Sequence, residues 1–261
     1  MKSRYLRFLG AGLTGLALAA TFSGPAQAEA PPQHLVWAKR LAATITPAAN
    51  DYGEPAEITW AVTNGLDHST NRTKCASLVS QLLARAYGPG YISWLGCSSP
   101  SAATYHDAIE VEDGFTLVEG IAAVRPGDII AIRYDDAGCT EMKCGTFKTC
   151  TSSGHVAIVE SRPTYRTATA PIVPDTLQFE VAIIDSSSDV HGATDSRKGS
   201  ELLGADDEGV GRATMRLYVD RFDPARPIVG YTWSTWSGSK YYTHTKRDLV
   251  VGRIHRRTAQ R

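Results

Sequence analysis

Three residues of this chain have the types that covalent acyl transfer requires. They are Cys75 in "TKCASLVSQLL", His155 in "GHVAIVES" and Asp185 in "VAIIDSS". A thiol attacks a carbonyl at neutral pH when a base lies within hydrogen-bond reach and a third group orients that base. Cys75 opens a segment in which Leu78, Val79, Leu82, Leu83 and Ala86 recur at helical spacing, so it sits at a helix start over the inward face. Unpaired N–H groups and positive potential at such an end favour a thiolate. The rival reading is a buried cysteine that acts as a small hydrophobe. His155 begins a strand directly after Gly154, and the next apolar run ends in Asp185. If the two runs pair antiparallel, as sequential strands tend to, Asp185 arrives beside His155 on the face of Phe179, Val181 and Ile183. A carboxylate at the rim of an apolar face needs a partner, and an imidazole N–H supplies one. Taken singly, His155 reads as a surface histidine and Asp185 as a turn-initiating residue. Together they meet the geometry of nucleophile, base and orienter.

The elements that must position these residues follow from the pattern. His34 to Ile45 reads as a first helix with Leu35, Ala38, Leu41 and Ala42 on one side. Residues 46–72 read as polar and irregular, holding Tyr52 and Trp60. The Cys75 helix is expected to start at an N-capping Thr73 and to stop after Tyr87 at Gly88-Pro89-Gly90. A further helix is expected near Ala102 to Ile109. After Pro126-Gly127 the character turns to strands: "DIIAIRY", "GHVAIVES" and "TLQFEVAIID". Residues 186–211 read as loop, and "TMRLYVDRF", "PIVGYTWSTW" and "DLVVGRIHR" as later strands. Helices first and an antiparallel sheet afterwards is an α+β order, with N-terminal helices packed on the sheet. No repeat or linker divides the chain. A single domain over residues 29–261 is expected, its core about residues 60–190 with C-terminal strands within 209–257.

The first residues imply export. Lys2, Arg4 and Arg7 precede an apolar stretch from Phe8 to Phe22, and Ala26-Gln27-Ala28 fits a cleavage site after Ala28. The expected location is secreted or periplasmic, with no membrane span after cleavage. Lys and Arg balance Asp and Glu at 27 each. Loss of residues 1–28 removes three basic residues and no acid, so the remaining chain is mildly acidic, which argues against nucleic acid as a partner. Cys75, Cys97, Cys139, Cys144 and Cys150 make an odd number in an oxidising compartment, so at least one thiol stays free. The insert of residues 135–154 carries three of them and is expected to form one wall of a substrate cleft. Bridges are favoured there over zinc, since no paired CxxC spacing and no internal histidine occurs.

The order "TKCASLVSQLL", "VRPGDIIAIR", "GHVAIVES" and "VAIIDSS" resembles the NlpC/P60 superfamily of papain-like cysteine hydrolases, over roughly Cys75 to Ser187. The resemblance implies a papain-like fold with Cys75 as nucleophile, His155 as base and Asp185 as orienter, without cofactor or metal. It also implies peptide amides of the bacterial cell wall as the substrate, cut by an endopeptidase or amidase. In this chemistry the Cys75 N–H is one oxyanion donor, and Asn71 or Ser69 is within sequence reach as the second. Trp94, Trp233 and Trp236 are candidate cleft residues, against the plainer reading of core aromatics.

Two other classes compete. "HGATD" (His191 to Asp195), with His106 or His155, offers ligands for a zinc hydrolase, although no HExxH accompanies it. A non-catalytic binding or structural protein on the same fold is the other, since a fold does not fix a function.

Overall fold

Helix α1 (Gln33–Thr44) buries Leu35, Ala38 and Leu41 along one side. This computed structural model describes residues 30–255, apart from 62–64, 66, 89–94, 97–98, 136–140, 144–145, 148–151 and 200–205. For 141–143 and 146–147 it describes the backbone alone. The proposed leader and its cleavage site, and Cys97, Cys139, Cys144 and Cys150 with any bridges among them, lie outside the described residues.

The stretch expected to be irregular after α1 instead carries strands. β1 (Ile45–Asp51), β2 (Glu57–Thr59) and β3 (Ser69–Arg72) make a small sheet in the order β1-β3-β2, with β1 parallel to β3. Its sequence lacks apolar alternation because polar side chains hold it. Asn71 Nδ2 donates to Asn50 Oδ1 and to the Asp51 carbonyl, at 3.1 and 3.0 Å.

Helix α2 (Cys75–Tyr87) buries Cys75, Ala76, Leu78, Val79, Leu82 and Leu83, and ends at Gly88 with φ 90°. There a residue with a Cβ would be strained. Its N-cap is Lys74 rather than Thr73. Thr73 is buried and its hydroxyl donates to Asn71 Oδ1 at 2.7 Å, so it anchors β3 instead. Ser77 Oγ accepts the Lys74 N–H at 2.9 Å. Helix α3 (Ala102–Glu110) is capped by Ser101, whose Oγ accepts the Thr104 N–H at 3.1 Å.

Among the described residues eleven strands follow: β4 (Phe115–Leu117), β5 (Ile129–Tyr134), β6 (Glu141–Lys143), β7 (Thr146–Phe147), β8 (Gly154–Val159), β9 (Thr164–Arg166), β10 (Thr176–Ser187), β11 (Gly209–Asp220), β12 (Ile228–Thr232), β13 (Tyr242–Thr243) and β14 (Arg247–Ile254). β6 and β7 pair with each other. The rest form an antiparallel sheet ordered β13-β12-β11-β10-β8-β5-β14-β4, with β9 on β10. The C-terminal strands are therefore integral to the sheet, because β14 pairs with β5. Alternation along the central strands serves two cores. Ile129, Ala131, Val156, Ile158 and Ile184 face the helices. Ile130, Ile132, Ala157, Val159 and Ile183 face a second cluster with Met215, Leu217 and Tyr231.

Pro126-Gly127-Asp128 ties three parts of the chain together. The Gly127 carbonyl lies 2.7 Å from His34 Nε2 on α1, and Arg253 on β14 grips Asp128 with two bonds of 2.8 Å. The class is α+β, and Pro31–Arg261 forms one compact unit. Among the described residues no helix is long and apolar enough to cross a membrane.

Candidate active site

Cys75, His155 and Asp185 meet at one end of the sheet. His155 Nε2 lies 2.6 Å from Asp185 Oδ2. The two strands pair with Ile184 opposite Ile158, a register that carries Asp185 to Ala157. His155 and Asp185 are thus diagonal neighbours on one face rather than side by side, within reach of a long side chain. With Nε2 occupied, Nδ1 is the nitrogen left to meet Cys75, and His155 hydrogen-bonds the sulfur. Gly154 makes this approach possible. At its φ of 152°, a Cβ would strike the Ile132 carbonyl. On the other side, Ser186 Oγ donates to the Thr73 carbonyl at 2.6 Å. The residue after Asp185 therefore fixes the chain two positions before Cys75.

Asp185 is fully buried and accepts from two rings, since His191 Nε2 is 2.8 Å from the same Oδ2. Its Oδ1 faces Arg197 Nη1 at 3.0 Å. Arg197 is held in turn by Asp195, with Nε and Nη2 at 2.9 and 2.6 Å from the two carboxylate oxygens. Gly211 stands opposite Asp185 on β11, and a Cβ there would meet Arg197 Nε at 2.7 Å. The bare glycine lets the guanidinium cross the strand.

These neighbours set the charges. Burial works against the Asp185 carboxylate, but Arg197, His191 and the His155 hydrogen bond more than offset it, so its pKa falls well below the usual range. Burial also favours the neutral His155 ring. The Cys75 charge and the Asp185 bond outweigh that and push it up to about 10. For Cys75, burial raises the pKa, while His155 and the N–H groups of Val156 and Ala76 pull it down, with a net lowering. Both shifts act in the direction of a thiolate beside an imidazolium. Among the described residues Cys75 is a free cysteine.

The remaining sequence candidates separate. Asn71 spends both amide hydrogens on Asn50 and Asp51. Ser69 is buried against Thr44 Oγ1 at 2.7 Å and the Ala61 N–H at 3.3 Å. Both brace the small sheet and offer no free donor to an oxyanion. The group that does touch the sulfur is Tyr52, whose hydroxyl hydrogen-bonds Cys75. Its pKa is raised, first by burial and then by the Cys75 charge, so it keeps its proton. Trp233 stacks on His191 at 4.8 Å and 14°, and meets His155 edge-on at 4.8 Å. Trp236 is 67% exposed, and Trp94 lies outside the described residues.

Two cavities flank the pair and share Tyr52, Lys74, Ser152 and Gly154. One, of about 340 Å³, is lined by Cys75, Glu54 and Ser101; the other, of about 580 Å³, by His155, His191, Trp233 and Tyr242. Ser152 and Gly154 end the insert expected to wall the cleft. Residues 136–140, 144–145 and 148–151 of that insert lie outside the described ones. The alternative zinc set is split. Asp195 is engaged by Arg197, and His106 sits on α3 between Asp107 and Asp248. His191 does join His155, but through Asp185. Tyr52 and Arg197 went unread in the sequence, because each reaches the site from a polar stretch with no periodic signal.

No protein-family model matches the chain, and no solved structure matches it. An uncharacterized protein of Acanthamoeba polyphaga mimivirus is 26% identical over 236 residues, covering 85% of this chain and 96% of that one. Its name assigns no activity.

Proposed function

We propose that this protein is an exported cysteine hydrolase of papain-like, NlpC/P60 type that cleaves amide bonds through a Cys75 acyl-enzyme. The observation that carries the reading is the contact of Cys75, at the start of α2, with a His155 whose other nitrogen is 2.6 Å from buried Asp185. The thiolate attacks the amide carbonyl. His155 protonates the departing amine from Nδ1, then takes a proton from the water that releases the acyl group. The Cys75 N–H, free at the first turn of the helix, and the Tyr52 hydroxyl are the donors for the developing oxyanion. Asp185, locked by Arg197 and His191, holds the ring and stabilises the imidazolium.

Peptides of the bacterial cell wall are the proposed substrate class, on the strength of the motif resemblance and the leader. The test is digestion of purified cell-wall fragments by the protein and by its Cys75→Ala variant, with products resolved by mass. New peptide ends that appear with the wild type and vanish with Cys75→Ala are expected. Intact fragments with both would favour a non-catalytic binder.

A further inference from the structure

We infer that His155, Asp185 and His191 form a zinc-binding site that blocks the catalytic base when occupied. Each offers one ligand atom, and the three atoms lie within 4.8 Å of one another. Both rings turn Nε2 toward the same oxygen, Asp185 Oδ2, at 2.6 and 2.8 Å. Two imidazoles and a carboxylate suit Zn²⁺, with bonds of about 2.0–2.2 Å. Tetrahedral bonds of that length put ligand atoms about 3.3 Å apart, so the two contacts must open by about half an ångström or slightly more to admit the ion.

The surroundings already supply what a metal site needs outside its ligands. Asp185 Oδ1 is held by Arg197, which leaves Oδ2 for the ion. His191 is fixed by stacking on Trp233 at 4.8 Å, and its backbone N–H donates to Asp195 at 2.6 Å. The cavity of about 580 Å³ lined by His155, His191 and Trp233 gives ion and water an entry path to two of the three ligands. The other histidine–carboxylate cluster lacks these properties. There Arg133 Nη1 lies 2.8 Å from Asp107 and 4.0 Å from Glu110, so a guanidinium fills the place of a cation.

Occupancy has a defined consequence for the base. The ion takes the Nε2 lone pair of His155, the Nε2 proton leaves to solvent, and the remaining proton stays on Nδ1. From there the ring still donates to Cys75, but a zinc-bound neutral ring is a far weaker acid than the imidazolium, so transfer of the Nδ1 proton to the departing amine, and with it formation of the acyl-enzyme, is suppressed. The blocking rests on the hydrolase reading, whereas the binding does not. Turnover on cell-wall fragments without metal reports on the hydrolase reading separately.

The experiment is a Zn²⁺ titration of the purified protein against a chromophoric chelator, with His191→Gln and His106→Gln variants. Gln retains an N–H for Asp185 but is a poor zinc ligand, so the metal-free thermal midpoint of His191→Gln shows whether the fold is intact. One tightly bound equivalent is expected in the wild type and in His106→Gln. In folded His191→Gln the affinity is expected to fall by at least about tenfold, since even partners outside the ligand set are worth that much. Zinc should also slow alkylation of wild-type Cys75 by iodoacetamide. No tight binding by the wild type would overturn the site. Full affinity in His191→Gln would assign the ion to other ligands, such as the four remaining cysteines, and would overturn the site equally. Binding without any change in alkylation would overturn the blocking role.

Discussion

His155 and His106 are both buried rings beside a carboxylate, and both have raised pKa values, yet of the two His155 alone also faces a thiol. His106 Nε2 lies 3.2 Å from Asp248 and its Nδ1 3.1 Å from Asp107. Carboxylates at both nitrogens outweigh burial and favour two protons on the ring, a form with nothing to accept with. His155 gives one nitrogen to Asp185 and the other to Cys75, whose proton it can hold or return. A third buried ring, His34, makes two neutral bonds, to the Tyr87 hydroxyl and the Gly127 carbonyl at 2.7 Å each. Burial lowers its pKa to about 4. The partner on the second nitrogen sets the ring's chemistry: a second carboxylate favours the cation, a carbonyl the neutral strut, and a thiol a shared proton.

The largest expected effect separates His155 from His106. His155→Ala and Cys75→Ala should each lower turnover by about 10⁴-fold or more, because they act in one covalent step. His106→Gln should leave turnover near wild type and cost about 1–3 kcal/mol of stability through the lost bonds. Asp185→Asn should fall between, lowering turnover by about 10²–10⁴-fold. It should also destabilise the fold, since Arg197 loses a buried counter-charge. Equal turnover losses for His106→Gln and His155→Ala would erase the distinction. Kinetics beside a urea titration decide it.

A smaller effect is expected at Tyr52. Tyr52→Phe keeps the ring but removes the donor, and kcat should drop about 10²-fold with little change in KM. A change confined to KM would make Tyr52 a binding residue only.

The smallest effects concern stability and pH, and they run in opposite directions. His106 is raised above its ordinary 6.5, so its contribution is full below that value and fades as pH climbs through the folded value. His34 is depressed, so its contribution is full above 6.5 and is lost as pH falls toward about 4. The gap in thermal midpoint between wild type and His106→Gln should shrink on the alkaline side. The gap to His34→Gln should shrink on the acid side. Parallel gaps across the range would contradict the contrast.

Much of this arrangement was legible from periodicity. Helical spacing behind Cys75 and alternation before Asp185 specify which way each side chain faces, and chain order pairs the strands of His155 and Asp185. The small sheet of β1, β2 and β3 was not legible, because Asn50, Ser69 and Asn71 stabilise it by hydrogen bonds that leave no apolar pattern. Tyr52 and Arg197 were hidden for a related reason. Tyr52 precedes Cys75 by a whole strand pair, and Arg197 reaches Asp185 only because Gly211, on another strand, lacks a side chain. Long-range polar contacts of this kind depend on register, which a single sequence does not display.

Everything proposed for the site depends on Cys75 resting as a thiolate paired with His155, and its alkylation rate across pH is the decisive measurement. Iodoacetamide labelling, followed by peptide mapping, should show Cys75 reacting at nearly constant rate through neutral pH. The fall should come only well below the ordinary thiol pKa of about 8.5. In His155→Ala the same curve should move up in pH, since burial is then opposed only by the Val156 and Ala76 N–H groups. A wild-type profile that rises with an ordinary thiol pKa, or one that His155→Ala leaves in place, would contradict the ion pair.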